Sequence, residues 1–254
     1  MKKVIVFGDL PIATKIVKFI RKNLKMELIG VVIGNENPKN NDPWEDEILI
    51  DYAKKENIKL LTQEEIIKNY KKNELYLGLS CRFSKIIKKE IIEKFEFGVL
   101  NLHGGLLPEF AGLYSVNHTI LCGNKTGGGT IHFIDEGIDT GAVIRRCEFN
   151  INENDTAYNL FQKTQKVLYE NLKEILMKID SDEKLQTKTL EEYIKEGYIN
   201  RYFNKKSLEG KKEIEIKDLN KKEALLKIRA FDFPGYEPAF VKINGKKIYL
   251  RINI

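Results

Sequence analysis

The chain has 254 residues, of which 42% are hydrophobic and 31% charged, and its formal net charge is +6. This amount of apolar material is enough for a substantial core, so the composition excludes a wholly disordered chain. Lysine and arginine (43) only slightly outnumber aspartate and glutamate (37), and they form no long basic run of the kind that binds nucleic acid.

The N-terminal and cysteine patterns predict a cytoplasmic protein. The apolar run after the first residues breaks at Gly8-Asp9, which is too early for a signal peptide. No apolar run approaches the roughly 18 residues that a membrane-spanning helix needs. Cys81, Cys122 and Cys147 are few, odd in number and unclustered, so we expect neither a disulfide framework nor a zinc site.

Short β-branched apolar runs alternate with amphipathic segments over the first half of the chain. The pattern predicts strands at 3–8, 27–33, 58–61, 74–79 and 98–102, and helices at 12–20, 47–55, 64–72, 84–95 and 116–122. Such alternation favours parallel strands joined by crossover helices. The fifth strand leads directly to His103, and ligands of open α/β sheets bind at the carboxyl ends of strands.

The second half predicts a change of architecture. We expect a glycine-rich turn at 127–129, strands at 130–134 and 142–151 around a loop at 135–141, a long helix at 155–179 and a polar linker at 181–189. Short β segments follow, including 212–216, with a helix at 221–231 and a hairpin that turns at Asn244-Gly245. We therefore expect two domains, 1–180 and 190–254, the second small and mostly β.

Three polar residues are candidates for chemistry. Asn101 and His103 lie two apart in a predicted strand, so their side chains project from the same face. A histidine can accept a proton from an attacking amine, and an asparagine amide can hydrogen-bond an oxygen that gains charge. A nearby carboxylate such as Asp139 would orient the imidazole and stabilise its protonated form.

Structural interpretations compete with these roles. A histidine near a strand end is more often structural, and an aspartate in a glycine-containing loop often serves the turn. We interpret His118 and His132 as structural and Arg229 as a candidate ion-pair partner, while Trp44 either caps a ligand or packs locally. The aromatic residues of the C-terminal region are interpreted as a small core. They are Phe231, Phe233, Tyr236 and Phe240.

Two stretches resemble the catalytic region of the folate-dependent formyltransferases. They are NLHGGLLPEFAG (101–112) and TGGGTIHFIDEGIDTGAVI (126–144). The shared pattern is Asn-x-His, a Leu-Pro soon after it, and a distant aspartate in a loop of the D-x-G-x-D-x-G type. That family includes methionyl-tRNA formyltransferase, glycinamide ribonucleotide formyltransferase and the sugar N-formyltransferases.

The resemblance implies a Rossmann-like, mostly parallel sheet with flanking helices, and 10-formyltetrahydrofolate as the formyl donor. It assigns catalysis to Asn101, His103 and Asp139. The residues that would hold the pteridine belong to two loops. They are Ser80, Cys81, Arg82, Phe83, Asp135, Gly137 and Ile138. The acceptor side would include Pro11, Gly104 and Gly105, and many members have Pro-Ser or Ala-Ser where this chain has the two glycines.

The features that differ within the family favour one acceptor. The segment Gly8-Asp9-Leu10-Pro11 lacks the glycine-rich phosphate loop of glycinamide ribonucleotide formyltransferase, and the C-terminal region is short for holding a tRNA. It resembles the compact tail of sugar N-formyltransferases, which predicts a UDP- or dTDP-linked amino sugar destined for surface polysaccharide. A homodimer is compatible with this prediction, and nucleic acid is not an expected partner. The alternatives are an enzyme like methionyl-tRNA formyltransferase, hydrolysis of the formyl donor, and a catalytically silent nucleotide-sugar-binding module.

Overall fold

A computed structural model describes residues 1–252. The strands of these residues, in chain order, are β1 (Lys3–Gly8), β2 (Glu27–Val32), β3 (Leu60–Leu61), β4 (Leu75–Cys81), β5 (Phe95–His103), β6 (Ala111–Gly112), β7 (Thr126–Phe133), β8 (Val143–Asn150), β9 (Tyr202–Phe203), β10 (Ala239–Ile243) and β11 (Lys246–Leu250). The helices are α1 (Pro11–Asn23), α2 (Leu49–Lys55), α3 (Gln63–Asn69), α4 (Lys89–Ile92), α5 (Ser115–Leu121), α6 (Ala157–Asp180), α7 (Leu190–Lys195) and α8 (Lys222–Phe231).

A seven-stranded sheet in the order β3-β2-β1-β4-β5-β7-β8 forms the centre of the fold. The strands from β1 to β5 are parallel, whereas β7 runs antiparallel to β5 and to β8. The chain builds outward from β1 in one direction and then returns to place β4 on the other side. Ligand sites of open α/β sheets lie at the carboxyl ends of strands beside such a reversal.

Alternation along β1 explains why the sheet is covered on both faces. Val4 and Val6 pack in a core cluster with α1 and α6, while Ile5 and Phe7 pack in a second cluster with α3 and α4. All four side chains are fully buried, as expected for a central strand of a parallel sheet. The predicted fold class, a mostly parallel sheet with flanking helices and a small C-terminal hairpin, is confirmed.

The region after α6 packs back onto the main sheet domain. A third core cluster joins Ile120 of α5 and Leu160 of α6 to Phe231 of α8 and to Ala239 and Val241 of β10. Phe233 makes edge contacts with the rings of aromatic neighbours on α6. The division into domains 1–180 and 190–254 remains a proposal, and the shared cluster ties the two parts together.

Two predicted elements near the site are wrong. Helix is confined to Lys89–Ile92 within the predicted 84–95, because residues 84–86 are exposed and the chain must enter β5 at Phe95. The three glycines at 127–129 lie inside β7 and do not form a turn. A Cβ at Gly128 would stand 2.2 Å from the Cys147 carbonyl oxygen, so glycine is required for close strand approach here.

Differences in the C-terminal region are smaller. The predicted strand at 212–216 is reduced to one bridge between Glu213 and Phe240, followed by a 3-10 turn at Ile216–Asp218. Helix α7 was not predicted, although a capping box at Thr189 and Glu192 marks its start and Leu190 and Tyr193 pack against a small core cluster. Within residues 1–252, no helix has both the length and the apolar character needed to span a membrane.

Candidate active site

Adjacent strands place three polar side chains side by side in one row of the sheet. Ser80 of β4 pairs with Asn101 of β5, and Asn101 pairs with His132 of β7. The Asn101 Nδ2 lies 3.2 Å from His132 Nε2. The His132 Nδ1 lies 2.8 Å from the Phe133 carbonyl oxygen, which can only accept, so this nitrogen carries the proton and a neutral ring accepts from Asn101 at Nε2.

The imidazole of His103 is held between two acceptors. Its Nδ1 lies 3.3 Å from Asp139 Oδ2, and its Nε2 lies 2.7 Å from the carbonyl oxygen of Phe110. The Ser115 hydroxyl donates to the same carbonyl and stands 3.4 Å from Nε2. Only 7% of His103 is exposed, so the ring is fixed in orientation and accessible through a small opening.

Asp139 connects the two histidines. Its Oδ1 is 3.5 Å from His132 Nε2, its Oδ2 is 3.3 Å from His103 Nδ1, and Oδ2 also accepts the backbone N–H of Gly112 at 2.9 Å. The backbone of Asp139 has φ of 56°, in the left-handed region. Aspartate and asparagine enter that region at lower cost than most residues, which explains the residue type at this turn.

Burial and charge oppose each other in this network. Burial raises the pKa of Asp139, but the adjacent His132 ring, the charge of His103 and the Gly112 N–H together outweigh it and lower that pKa to about 2. Burial lowers the pKa of His103, although the Asp139 carboxylate and the Phe110 carbonyl each act to raise it. The carboxylate is therefore ionised at neutral pH, beside an imidazole whose pKa lies below its usual value because burial outweighs the attraction.

The two glycines after His103 differ in their surroundings. Apart from its chain neighbours, a Cβ at Gly104 would meet no atom within 4 Å, so open space lies beside the backbone at the position after His103. A Cβ at Gly105 would stand 2.6 Å from Ser115 Cβ and 2.8 Å from the Phe110 carbonyl oxygen. Gly104 therefore leaves room for a ligand, whereas Gly105 allows the chain to pack tightly behind His103.

The loop after β4 offers mostly backbone groups to a ligand. Ser80 and Cys81 are buried, the Cys81 thiol lies against the Phe7 carbonyl, and burial raises the pKa of that thiol. The Arg82 guanidinium lies over the ring of Phe161, and Arg82 has φ of 53°. Phe83 is half-buried.

The loop after β7 is folded on itself. The Asp135 carboxylate accepts the N–H of Gly137 and the hydroxyl of Thr140. Gly137 is required because a Cβ there would stand 2.1 Å from Thr140 Oγ1, and Ile138 is 56% exposed. Ile138 thus presents an apolar side chain to solvent directly before Asp139.

The N-terminus of α1 is already occupied by a carboxylate. Asp42 accepts the backbone N–H of Ile12 at 2.9 Å, and its side chain is fully buried. Burial raises the pKa of Asp42, and nearby Arg82 lowers it. Pro11 is buried at the first helical position and has no N–H to offer. The end of this helix therefore presents no open anion site.

Two residues left open by the sequence are involved in packing. The Trp44 ring makes an edge contact with Tyr169 of α6 at 5.6 Å and lies beneath the ammonium group of Lys15. Arg229 donates to the carbonyl oxygens of Asp155 and Asn152. Trp44 thus connects α6 with α1, and Arg229 connects α8 with the segment that precedes α6.

A family model described as "Formyl transferase" matches residues 2–176. The chain belongs to the formyl transferase family. Asn101, His103 and Asp139 all lie inside the matched region. The resemblance predicted from the two sequence stretches is confirmed.

Known family members resemble this chain to different extents. GDP-perosamine N-formyltransferase of Brucella melitensis is 29% identical over 178 residues, which cover 68% of this chain and 62% of that protein. Methionyl-tRNA formyltransferase of Clostridium tetani is 36% identical over 132 residues, covering 50% and 41%. This chain thus spans less than two thirds of the length of these curated relatives.

A solved structure matches nearly the whole formyl transferase chain. The N-formyltransferase from Helicobacter canadensis, crystallised with folinic acid and dTDP-3-aminofucose, has a TM-score of 0.75 and 26% identity. The match covers 98% of this chain and 86% of that one. The similarity therefore extends through the C-terminal region, beyond the residues that the family model matches.

Proposed function

We propose that this protein transfers the formyl group of 10-formyltetrahydrofolate to the amine of a nucleotide-linked deoxyamino sugar. The observation that carries the proposal is the network in which Asp139 bridges His103 and His132, with Asn101 beside them and open space at Gly104. No covalent nucleophile is required, because the amine itself attacks the formyl carbon.

Two donors on the chain suit the oxygen that gains negative charge during this attack. One N–H of the Asn101 amide is used by His132, which leaves the second available. The Nε2–H of His103 is held by the Phe110 carbonyl, an oxygen of the same chemical type as a formyl oxygen. We infer that it passes to the formyl oxygen when substrates bind. Preorganised donors of this kind commonly supply about 3–4 kcal/mol each to the stabilisation of such a transition state.

The proton balance assigns a second role to His103. A C–N bond forms between the amine and the formyl carbon, the bond from that carbon to N10 of the folate breaks, and a proton moves from the amine to the folate nitrogen. His103 is positioned to carry this proton, because Asp139 stabilises its imidazolium form. The open space at Gly104 supports the fit of substrates next to the ring.

The choice of acceptor has separate support. The α1 N-terminus, where a phosphate could bind, is occupied by Asp42, which argues against an acceptor whose phosphate would lie there. The Helicobacter enzyme, which was crystallised with dTDP-3-aminofucose, matches 98% of this chain in structure. A role in surface polysaccharide synthesis and a cytoplasmic location follow from this acceptor and stand as part of the proposal.

An acceptor screen tests the proposal. The protein is incubated with 10-formyltetrahydrofolate and, separately, with UDP-, dTDP- and GDP-linked amino sugars, with methionyl-tRNA, or with no acceptor. Tetrahydrofolate release is followed by absorbance and the formamide by mass spectrometry, with His103→Ala as the blank. Formylation of an amino sugar is expected. Formylated tRNA would identify the alternative suggested by the methionyl-tRNA relatives, formate release without acceptor would identify a hydrolase, and sugar binding without turnover would indicate a silent module.

A further inference from the structure

A small second sheet joins the loop after His103 to the C-terminal region. Ala111 and Gly112 of β6 pair in parallel with Tyr202 and Phe203 of β9. The Leu113 N–H donates to the Phe203 carbonyl oxygen at 2.7 Å. This contact crosses from residues inside the family match to residues beyond its end at position 176.

The ring of Phe203 is enclosed on both sides. It stacks on His118 of α5 at a centroid distance of 3.7 Å and an angle of 11°, and it lies parallel to Phe110 at 6.2 Å and 15°. The His118 ring is fixed in turn by its contact with the Ser207 hydroxyl at 2.8 Å. A Cβ at Gly112 would stand 2.3 Å from the Phe203 carbonyl oxygen, so only glycine permits this approach.

The loop held in this way delivers two backbone groups to the catalytic network. The Phe110 carbonyl accepts from His103 Nε2 at 2.7 Å, and the Gly112 N–H donates to Asp139 at 2.9 Å. Phe203 both packs on Phe110 and pairs with Gly112. One residue outside the matched region thus contacts the segment that places both groups, alongside the Ser115 hydroxyl that donates to the Phe110 carbonyl.

We propose that Phe203 is a positioning residue for the catalytic centre. It holds the Phe110 carbonyl against His103 and thereby supports a proton on Nε2, opposite the nitrogen that faces Asp139. Both the carbonyl and the carboxylate can only accept, so each favours a proton on the ring nitrogen it faces. The segment around β9 is therefore part of the active site, although it contributes no group to the chemistry itself.

NMR of the imidazole nitrogens tests the proposal without substrate. The chain has three histidines, so ¹⁵N-histidine labelling gives three ring spin systems that single substitutions assign. In the wild type, the Phe110 carbonyl is expected to sustain an Nε2–H population of neutral His103 beside the Nδ1–H form that Asp139 favours. In Phe203→Ala, the released carbonyl no longer supports the Nε2–H form, and the population shifts to Nδ1–H facing Asp139.

Kinetics provide the second measurement, which rests on the proposed formyl transfer. The kcat of Phe203→Ala is expected to fall at least about tenfold, equivalent to about 1.4 kcal/mol, while the KM for the folate changes little. Phe203→Tyr keeps the ring and should restore both the tautomer and the rate. Tyr249→Ala, which removes an exposed ring from the distant hairpin, serves as the matched control.

The two measurements separate the possible failures. If the wild type formylates no amine but the tautomer still shifts in Phe203→Ala, the proposed function fails and the positioning role stands. An unchanged tautomer in folded Phe203→Ala, as judged by circular dichroism, overturns the positioning role whether or not kcat falls.

Discussion

Replacing Asp139 with asparagine removes the charge of the catalytic network while preserving its shape. The new side chain would keep an oxygen for the Gly112 N–H, and asparagine tolerates the left-handed backbone that this position adopts. The substitution therefore isolates one effect, which is the attraction between the carboxylate and a protonated His103.

The distance between the two groups sets the size of that effect. Asp139 Oδ2 and His103 Nδ1 are 3.3 Å apart, and with an effective dielectric constant of about 20 two unit charges at that separation attract by about 5 kcal/mol. The Asp139 side chain is 11% exposed, so water screens part of this attraction. We expect a net loss of about 3–4 kcal/mol, which corresponds to a decrease in kcat of roughly 10²- to 10³-fold.

The assay is tetrahydrofolate release with the amino sugar identified by the screen, measured from acid to alkaline pH. Because Asp139 acts to raise the pKa of His103, the asparagine variant lowers that pKa further and reduces the imidazolium population at neutral pH. Asp139→Ala serves as the comparison: its kcat should fall as far, while its backbone strain costs about 1–2 kcal/mol of stability. A kcat for Asp139→Asn within about fivefold of wild type at every pH would refute the reasoning.

Three further predictions concern neighbouring positions. Gly104→Ala should keep the wild-type Tm but raise the KM for the acceptor several-fold, because its Cβ enters the open space next to this position. Gly105→Ala should lower the Tm by several degrees, because its Cβ meets Ser115 and Phe110. An unchanged acceptor KM in Gly104→Ala would place the amine elsewhere. His132→Phe should reduce kcat about fivefold with the fold retained, since one hydrogen bond of about 1 kcal/mol to Asn101 is lost; full activity would assign His132 a purely structural role. Burial, aided by the charge of Lys211, lowers the pKa of His118 to about 4. The stability that its neutral ring contributes is therefore complete above about pH 6.5 and is lost as pH falls toward about 4. The loss in the free energy of unfolding is at most about 3 kcal/mol. The free energy of unfolding, measured with urea at neutral and acid pH, should depend less on pH in His118→Phe than in the wild type. An equal pH dependence in the two proteins would contradict the assignment of this stability to His118.

Elements with a strong local pattern were predictable from the sequence. β1 and the long helix α6 were placed within one or two residues of their observed bounds, because alternation and helical periodicity are recorded in neighbouring side chains. The run at 127–129 was not predictable in this way. Glycines carry no pattern, and what requires them there is the Cys147 backbone from another strand.

The residues of the candidate active site show the same difference between local patterns and contacts that come from distant parts of the chain. Asn101 and His103 were expected on one face because they lie two apart in a strand, and the structure places both at the site. Asp139 was identified through resemblance, and the structure places it in contact with His103. Asp42 gave no signal, because its role depends on a contact with α1 that is separated from it by 30 positions.

His132 shows why a correctly predicted strand does not reveal which residues its side chains contact. Its strand was predicted, but its partner was not, since the pairing of Asn101 with His132 depends on the antiparallel register between β5 and β7. That register extends the alternation rule across strands: side chains opposite each other project from the same face. Within residues 1–252, the hydrogen bond from the Asn101 side chain leads to His132, and His132 in turn lies against Asp139. The Asn101 amide, which we propose faces the formyl oxygen, is therefore linked to the Asp139–His103 pair through a histidine whose local sequence favours a structural interpretation.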